Sequence, residues 1–243
     1  MNIYESWLVK KPIAHRGLHD ENAEENSPAA FENAIKAGYA IETDLQMTSD
    51  GVVVVFHDDD LSRMTGLRGN IQEIDYEYVR YAPLGKSKER MPTFDEFLSL
   101  VRGRTPVLIE IKTHKNIGVM EQKILQSLKR YSGEFALQSF NPYIVEWFAK
   151  NAPQYVRGQL ASDFEDSDLP RYQKYLLKNL AFIRRNKSQF VSYDINGIQK
   201  GLIKRVKRRM PVLMWTVRSQ EQIDSLKGYH DNIIFENFIP KTK

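Results

Sequence analysis

The stretch Ala40-Ile41-Glu42-Thr43-Asp44-Leu45-Gln46-Met47-Thr48-Ser49-Asp50-Gly51-Val52-Val53-Val54-Val55-Phe56-His57 decides how the chain is read. Residues 40–48 form a strand-like run, and residues 52–56 a second, β-branched one. Asp50-Gly51 between them is a strong two-residue hairpin signal. With those two residues as the loop, Ser49 faces Val52, and the same register sets His57 opposite Asp44. Cross-strand neighbours lie about 4.5–5.5 Å apart, so turn chemistry alone predicts that a histidine returns to the carboxylates.

Outward from this hairpin, short apolar runs alternate with amphipathic ones. Strands are predicted at residues 13–15, 40–48, 107–112, 135–140, 156–161, 190–194, 211–217 and 232–236. Helices are predicted at 28–38, 93–101, 118–131, 142–151, 168–185, 197–210 and 219–229. Ser27-Pro28 and Asn141-Pro142 each supply an N-cap followed by proline in the first turn. This alternation predicts an α/β fold, a parallel sheet closed as a (β/α)8 TIM barrel. Residues 1–243 are expected to form a single domain, with a small insertion at 59–91 after the second strand's hairpin. An open doubly wound sheet is disfavoured, because no glycine-rich nucleotide loop follows the first strand.

Composition narrows the function classes. The 243 residues are 42% hydrophobic and 27% charged, the balance of an ordinary soluble domain. No apolar run approaches the roughly 20 residues of a membrane span, and the first residues lack a signal peptide's basic start and apolar middle. The absence of cysteine excludes disulfides, a thiol nucleophile and thiolate metal sites, and fits a cytoplasmic protein. Net charge is +4, and the densest basic run is Lys204-Arg205-Val206-Lys207-Arg208-Arg209. Leu202, Ile203, Val206 and Met210 give that run an apolar stripe at helical spacing, which favours a solvated helix face over a nucleic-acid or anionic-membrane patch. The expected partner is a small molecule, with no nucleic acid and no stable membrane insertion.

Alternation along strands puts Glu42 and Asp44 on one side of theirs, and Glu110 and Lys112 on one side of the next. In a barrel these strands are neighbours, and the four groups lie toward the C-terminal strand ends, where barrel active sites form. Three carboxylates converging in a cleft cannot all stay ionised without compensation. A divalent cation on Glu42, Asp44 and Glu110 provides it, and an all-oxygen ligand set favours Mg²⁺ or Ca²⁺. The alternative is that these acids only form ion pairs with Arg16 and Lys112. Those two cations stand at the same mouth, where they would clamp an anionic substrate. His15 and His57 supply groups suited to acid–base work near neutrality. His19, His114 and His230 lack that placement and read as structural.

These features describe phosphoryl chemistry better than glycoside cleavage, which needs two carboxylates and little positive charge. The chain resembles the glycerophosphodiester phosphodiesterase family. The matching stretches are His15-Arg16-Gly17, Glu25-Asn26-Ser27, Glu42-Thr43-Asp44, Thr48-Ser49-Asp50-Gly51, His57-Asp58, Leu61 with Arg63, Glu110-Ile111-Lys112, Ser139-Phe140-Asn141-Pro142 and Trp215-Thr216-Val217. The resemblance implies a barrel with a divalent metal on Glu42, Asp44 and Glu110, catalytic His15 and His57, and a phosphate held by Arg16 and Lys112. The reading that follows is metal-dependent hydrolysis of a glycerophosphodiester to sn-glycerol 3-phosphate and an alcohol. We assign the base to His15 and the acid to His57, an order the sequence leaves open. The alternatives are a phospholipase D acting on lysophospholipids or sphingolipids, and a non-catalytic barrel that binds phosphodiesters. Trp215 and Phe140 stand at strand ends, where they either stack on the substrate's alcohol or pack the barrel. The sequence departs from the family pattern at Glu24, where proline is usual, and at Phe235-Glu236, where threonine-aspartate is common.

Overall fold

The computed structural model describes residues 2–165 and 167–241. Among them nine strands occur: β1 Ile13–Ala14, β2 Ala40–Met47, β3 Val53–Val55, β4 Val107–Ile111, β5 Phe135–Ser139, β6 Arg157–Ala161, β7 Phe190–Asp194, β8 Val212–Val217 and β9 Asn232–Phe235. Their order in the sheet is β1-β9-β8-β7-β6-β5-β4-β2-β3, with a further pairing of β1 to β2. That pairing closes eight strands into a (β/α)8 barrel and leaves β3 outside it, as the sequence predicts. The expected barrel strands differ from the observed ones by at most one residue at either end.

Two compact units divide the chain, residues 14–135 and the remaining described residues. In the first, β4 runs parallel to β2 with Asp44 beside Glu110, and β3 runs antiparallel to β2. Helix Pro28–Lys36 starts where Ser27 Oγ accepts the Ala30 N–H at 3.2 Å and Pro28 fills the first turn. Helix Phe94–Val101 starts with a capping box between Thr93 and Glu96. The two helices meet through Phe31 and Phe97, both buried, with ring centroids 4.6 Å apart. Each large side chain buried in this way contributes about 1.5–3 kcal/mol. Residues 59–91 hold one-turn helices and isolated bridges. Leu61, Met64, Ile71, Val79, Leu84 and Met91 pack on Val54 and Phe56, so the insertion has an apolar core seated on the hairpin's outer strand.

The hairpin register differs from the expectation. Leu45 pairs with Val55, Gln46 with Val54 and Met47 with Val53, which sets Asp44 against Phe56 rather than His57. The Phe56 N–H donates to the Asp44 carbonyl at 3.0 Å. The cause lies in the turn. Gly51 N–H donates to the Thr48 carbonyl at 2.9 Å, Gly51 has φ +82°, and the Thr48 N–H donates to the Val52 carbonyl. Ser49-Asp50-Gly51 therefore form a three-residue loop, a turn closed by a left-handed glycine, and this moves every pairing by one place.

In the second unit β5–β6, β6–β7, β7–β8 and β8–β9 are parallel. Asn232 Nδ2 donates to the Leu8 and Lys11 carbonyls at 2.9 and 2.7 Å, pinning the N-terminal segment. Helix Pro142–Asn151 matches its expected bounds, whereas others are shorter: Arg171–Lys178 for 168–185, Lys200–Lys207 for 197–210, and Gln220–Ser225 for 219–229. Leu180, at positive φ, breaks the first of these with a left-handed turn that amphipathic periodicity does not register.

Because only a left-handed residue closes the Thr48–Val52 loop, Gly51→Val is expected to cost roughly 1–2 kcal/mol. Gly51→Asn should cost less, since asparagine enters that conformation more readily. Urea unfolding of both variants measures the difference, and equal stability would show that the loop tolerates a bulky residue there.

Candidate active site

The backbone around β1, β2 and β4 brings the predicted polar residues together within the first unit. His15 is the residue after β1, in a tight turn where Arg16 has φ +54° and Gly17 φ +82°. A Cβ on Gly17 would lie 2.9 Å from Ala30, so the turn presses against the start of helix Pro28–Lys36. The Arg16 N–H donates to Glu42 Oε2 at 3.1 Å, and the Asn26 N–H donates to the Arg16 carbonyl at 2.9 Å. Asn26 Nδ2 donates to Asp44 Oδ2 at 3.0 Å, and Asn26 Oδ1 accepts from Thr43 Oγ1 at 2.9 Å. One asparagine thus joins the 15–27 loop to β2.

Glu42, Asp44 and Glu110 are buried, and each offers a carboxylate oxygen within 4.8 Å of the others. Lys112 Nζ lies 2.8 Å from Asp44 Oδ1 and 2.6 Å from Glu110 Oε1. Arg16 Nε lies 3.5 Å from Asp44 Oδ2, and Arg16 Nη1 donates to Glu25 Oε1 at 2.8 Å. The ion pairing weighed against a metal is therefore present. It is incomplete as compensation.

A second arginine extends the network. Arg63, from the insertion, donates to Glu25 through Nη1 at 3.0 Å and Nη2 at 2.6 Å, and to Asp58 through Nε at 2.5 Å and Nη2 at 3.0 Å. Asp58 Oδ1 in turn lies 2.7 Å from His57 Nδ1. A proton on Nδ1, the state this carboxylate favours, leaves Nε2 of His57 for chemistry. Across the network, five carboxylates (Glu25, Glu42, Asp44, Asp58 and Glu110) face three permanent cations (Arg16, Arg63 and Lys112). Two negative charges are left over, which one divalent cation would balance.

The protonation equilibria reflect this surplus. Burial, then Asp44 and Glu110, pushes the Glu42 carboxyl well above its ordinary value, against weaker pulls from Lys112 and Arg16. Burial would also raise Asp44, but Lys112, His57 and Arg16 outweigh it and hold that carboxyl well below the usual range. His57 thus reaches Asp44 electrostatically although the strand register does not pair them. Burial would lower the Lys112 ammonium, yet Asp44 and Glu110 more than offset it and keep the charge in place. A buried set of three oxygen donors, one of them driven toward its neutral form, fits a hard divalent cation.

The sequence assigns no role to Glu25, Asn26, Asp58 and Arg63, although all four stand in stretches that match the family pattern. The Arg63 contacts depend on how the insertion folds back, and periodicity does not encode that. Two departures from the family pattern also acquire partners. Glu24 Oε1 accepts the Lys86 N–H of the insertion at 2.8 Å, and Glu236 pairs with Arg218 at 2.7 Å. Phe235 is buried against Phe238. In the second unit, the rings of Phe140 and Trp215 meet at 5.5 Å, and Phe140 also meets Phe164 at 5.8 Å. The Trp215 indole N–H has no hydrogen-bond partner among the described residues. His114 Nε2 lies 2.9 Å from the buried Glu121 carboxylate, which also accepts the Gly118 N–H, so this histidine is tied into a helix start.

Known proteins share this arrangement of sequence and fold. The profile of the glycerophosphoryl diester phosphodiesterase family matches residues 15–240. A glycerophosphodiester phosphodiesterase of Caldanaerobacter subterraneus is 33% identical over 160 residues, which are 61% of this chain and 65% of that protein. The human lysophospholipase D GDPD1 is 34% identical over 140 residues, 52% of this chain and 43% of that protein. This chain thus spans less than two thirds of the length of either relative. Among solved structures, an Oleispira antarctica phosphodiesterase in complex with the product sn-glycerol-3-phosphate superposes with a TM-score of 0.80 at 21% identity, covering 94% of this chain and 93% of that one.

The raised Glu42 carboxyl has a consequence for stability. Glu42 binds a proton more readily in the folded chain than in the unfolded one, so its own contribution to the stability of the chelator-treated protein falls as pH rises above the ordinary glutamate value of 4.5. Glu42→Gln keeps an acceptor for the Arg16 N–H and removes that loss. Thermal unfolding in chelator at pH 7 should therefore show Glu42→Gln melting above the parent, with the gap closing below pH 4.5. A variant that melts lower at pH 7 would mean that the ionised carboxylate is already compensated.

Proposed function

The chain belongs to the glycerophosphoryl diester phosphodiesterase family, and we propose that it hydrolyses glycerophosphodiesters to sn-glycerol 3-phosphate and a free alcohol. The observation that carries this reading is the buried Glu42, Asp44 and Glu110 set with Lys112 and Arg16 against it and the His57–Asp58 pair in the same network. A divalent cation held by the three carboxylates, Mg²⁺ or Ca²⁺, would supply Lewis acidity toward a non-bridging phosphate oxygen.

The chain's own residues supply the rest. Lys112 Nζ donates to Glu110 Oε1 at 2.6 Å and lies 2.8 Å from Asp44 Oδ1, and its three N–H groups leave at least one for a phosphate oxygen. Arg16 is anchored by its Nη1 on Glu25 and its backbone on Glu42, with the guanidinium beside the same carboxylates. The two cations thereby offset the negative charge carried by the phosphoryl oxygens in the transition state. His15 takes the proton of the nucleophile. His57 gives one from Nε2 to the departing alkoxide, and Asp58 stabilises its imidazolium form. Arg63 sets the orientation of this pair, because it grips Asp58 on one side and, through Glu25, Arg16 on the other. Trp215, with its unpaired indole N–H, and Phe140 beside it are the groups proposed to meet the alcohol part of the substrate.

The human relative's name, lysophospholipase D, raises the second reading, that the alcohol carries an acyl chain. Side-by-side turnover of glycerophosphocholine and lysophosphatidylcholine separates the two, and preference for the lysolipid would replace the first reading with the second. General acid–base catalysis contributes about 10²–10⁴-fold. His15→Ala and His57→Ala are each expected to lose at least ~10²-fold in kcat for glycerol 3-phosphate release, with unfolding curves like the parent's. Near-parental turnover by either variant would remove that histidine from the mechanism.

A further inference from the structure

We propose that the outward face formed by residues 169–184 and helix Lys200–Lys207 docks on an anionic lipid bilayer. Helix Arg171–Lys178 buries none of its side chains completely. Tyr172 and Tyr175 are 65% and 63% exposed, and Leu176 is exposed beside them. Residues 172, 175, 176 and 179 recur at helical spacing and so share one stripe. An amphipathic helix normally turns its apolar stripe inward, and this one turns it out.

The stripe leads into a basic groove. Asn179 Nδ2 donates to the Tyr175 carbonyl at 2.8 Å, and Asn179 also lines a groove of about 170 Å³. Leu180, Leu202 and Val206 contribute an aliphatic floor, and Arg184, Arg205 and Arg209 stand among the lining residues. None of these three arginines pairs with a carboxylate among the described residues, in contrast to Arg185 on Glu146 and Arg218 on Glu236. Three exposed guanidinium groups around an aliphatic floor make this groove attractive to an anion.

The chemistry selects a lipid surface. Tyrosine rings favour the headgroup level of a bilayer, guanidinium groups grip phosphates in two-point contacts, and an aliphatic floor accommodates glycerol and acyl methylenes. Such a floor offers bases neither hydrogen bonds nor stacking, and the two tyrosines lie along the helix rather than between the arginines. Glu165 and Asp168 precede this helix in the chain, and Glu146, near the groove end, is taken up by Arg185 and Lys150. The attachment proposed for this face is peripheral, with the tyrosines at headgroup level and the arginines on lipid phosphates.

The test is co-sedimentation of the full-length protein with phosphatidylcholine vesicles, with and without about one third phosphatidylglycerol. Binding is expected with the anionic vesicles, weakening as salt rises, and not with phosphatidylcholine alone. Arg184→Glu with Arg205→Glu should lower it at least about tenfold. Tyr172→Ser with Tyr175→Ser should also lower it, and both pairs should retain the parent's unfolding curve and its turnover of a water-soluble diester. Equal binding to neutral vesicles, no binding to either, or anionic binding unaffected by both pairs would overturn the proposal. So would tighter binding to a duplex oligonucleotide that ignores the tyrosine pair, an outcome that assigns the face to nucleic acid.

Discussion

A surplus of buried negative charge around Asp44 is the constraint on which the candidate site depends. Asp44 has no solvent to spread its charge, and it is held ionised by Lys112, Arg16 and Asn26 on different sides. Each partner comes from a different part of the first unit: β4's C-terminal end, the turn after β1, and the loop before helix Pro28–Lys36. Removing one partner of a buried charge costs about 3–5 kcal/mol, so these loops are fixed by electrostatics as well as by packing. The same partners cannot also neutralise Glu42, which is why that carboxyl is driven toward its protonated form. A site arranged in this way is unbalanced by itself and balanced with a divalent cation.

The insertion belongs to the same charge network. Its apolar residues seat on Val54 and Phe56, and its polar residues reach back to the 15–29 loop at three places. Arg63 holds Glu25, the Lys86 N–H meets Glu24, and Glu89 accepts the Ala29 N–H at 3.0 Å near a helix N-terminus. Glu24, where the family pattern has proline, thus acquires a physical reason: its carboxylate fills the space above Gly85 and satisfies the next backbone N–H. A hydrophobic anchor on one side and three polar ties on the other hold Arg63 where it can join His57–Asp58 to Glu25–Arg16.

Much of this was legible in the sequence, for reasons that differ from residue to residue. Barrel strands were readable because short apolar runs recur between helical patterns at barrel spacing, and Glu42, Asp44 and Glu110 followed from side-chain alternation on neighbouring strands. The hairpin register was not readable. Asp50-Gly51 signals a turn equally well with two or three loop residues, and the choice rests on Gly51 adopting φ +82° with Thr48 as the closing acceptor. The 168–185 helix was overextended for a similar reason, since Leu180 is left-handed without being glycine or asparagine. The Arg63 bridge was hidden because it spans 38 residues to Glu25 through an insertion with no periodic pattern.

The central claim is that one divalent cation supplies the charge the carboxylates lack and displaces the proton Glu42 would otherwise hold. Isothermal titration of Mg²⁺ or Ca²⁺ into chelator-treated protein, repeated in buffers of different ionisation enthalpy, measures both parts at once. The account predicts saturable binding of about one ion per chain with release of up to about one proton, and Glu42→Gln should weaken binding and abolish the release. Absence of saturable binding, or equally tight binding by Glu42→Gln, would contradict it.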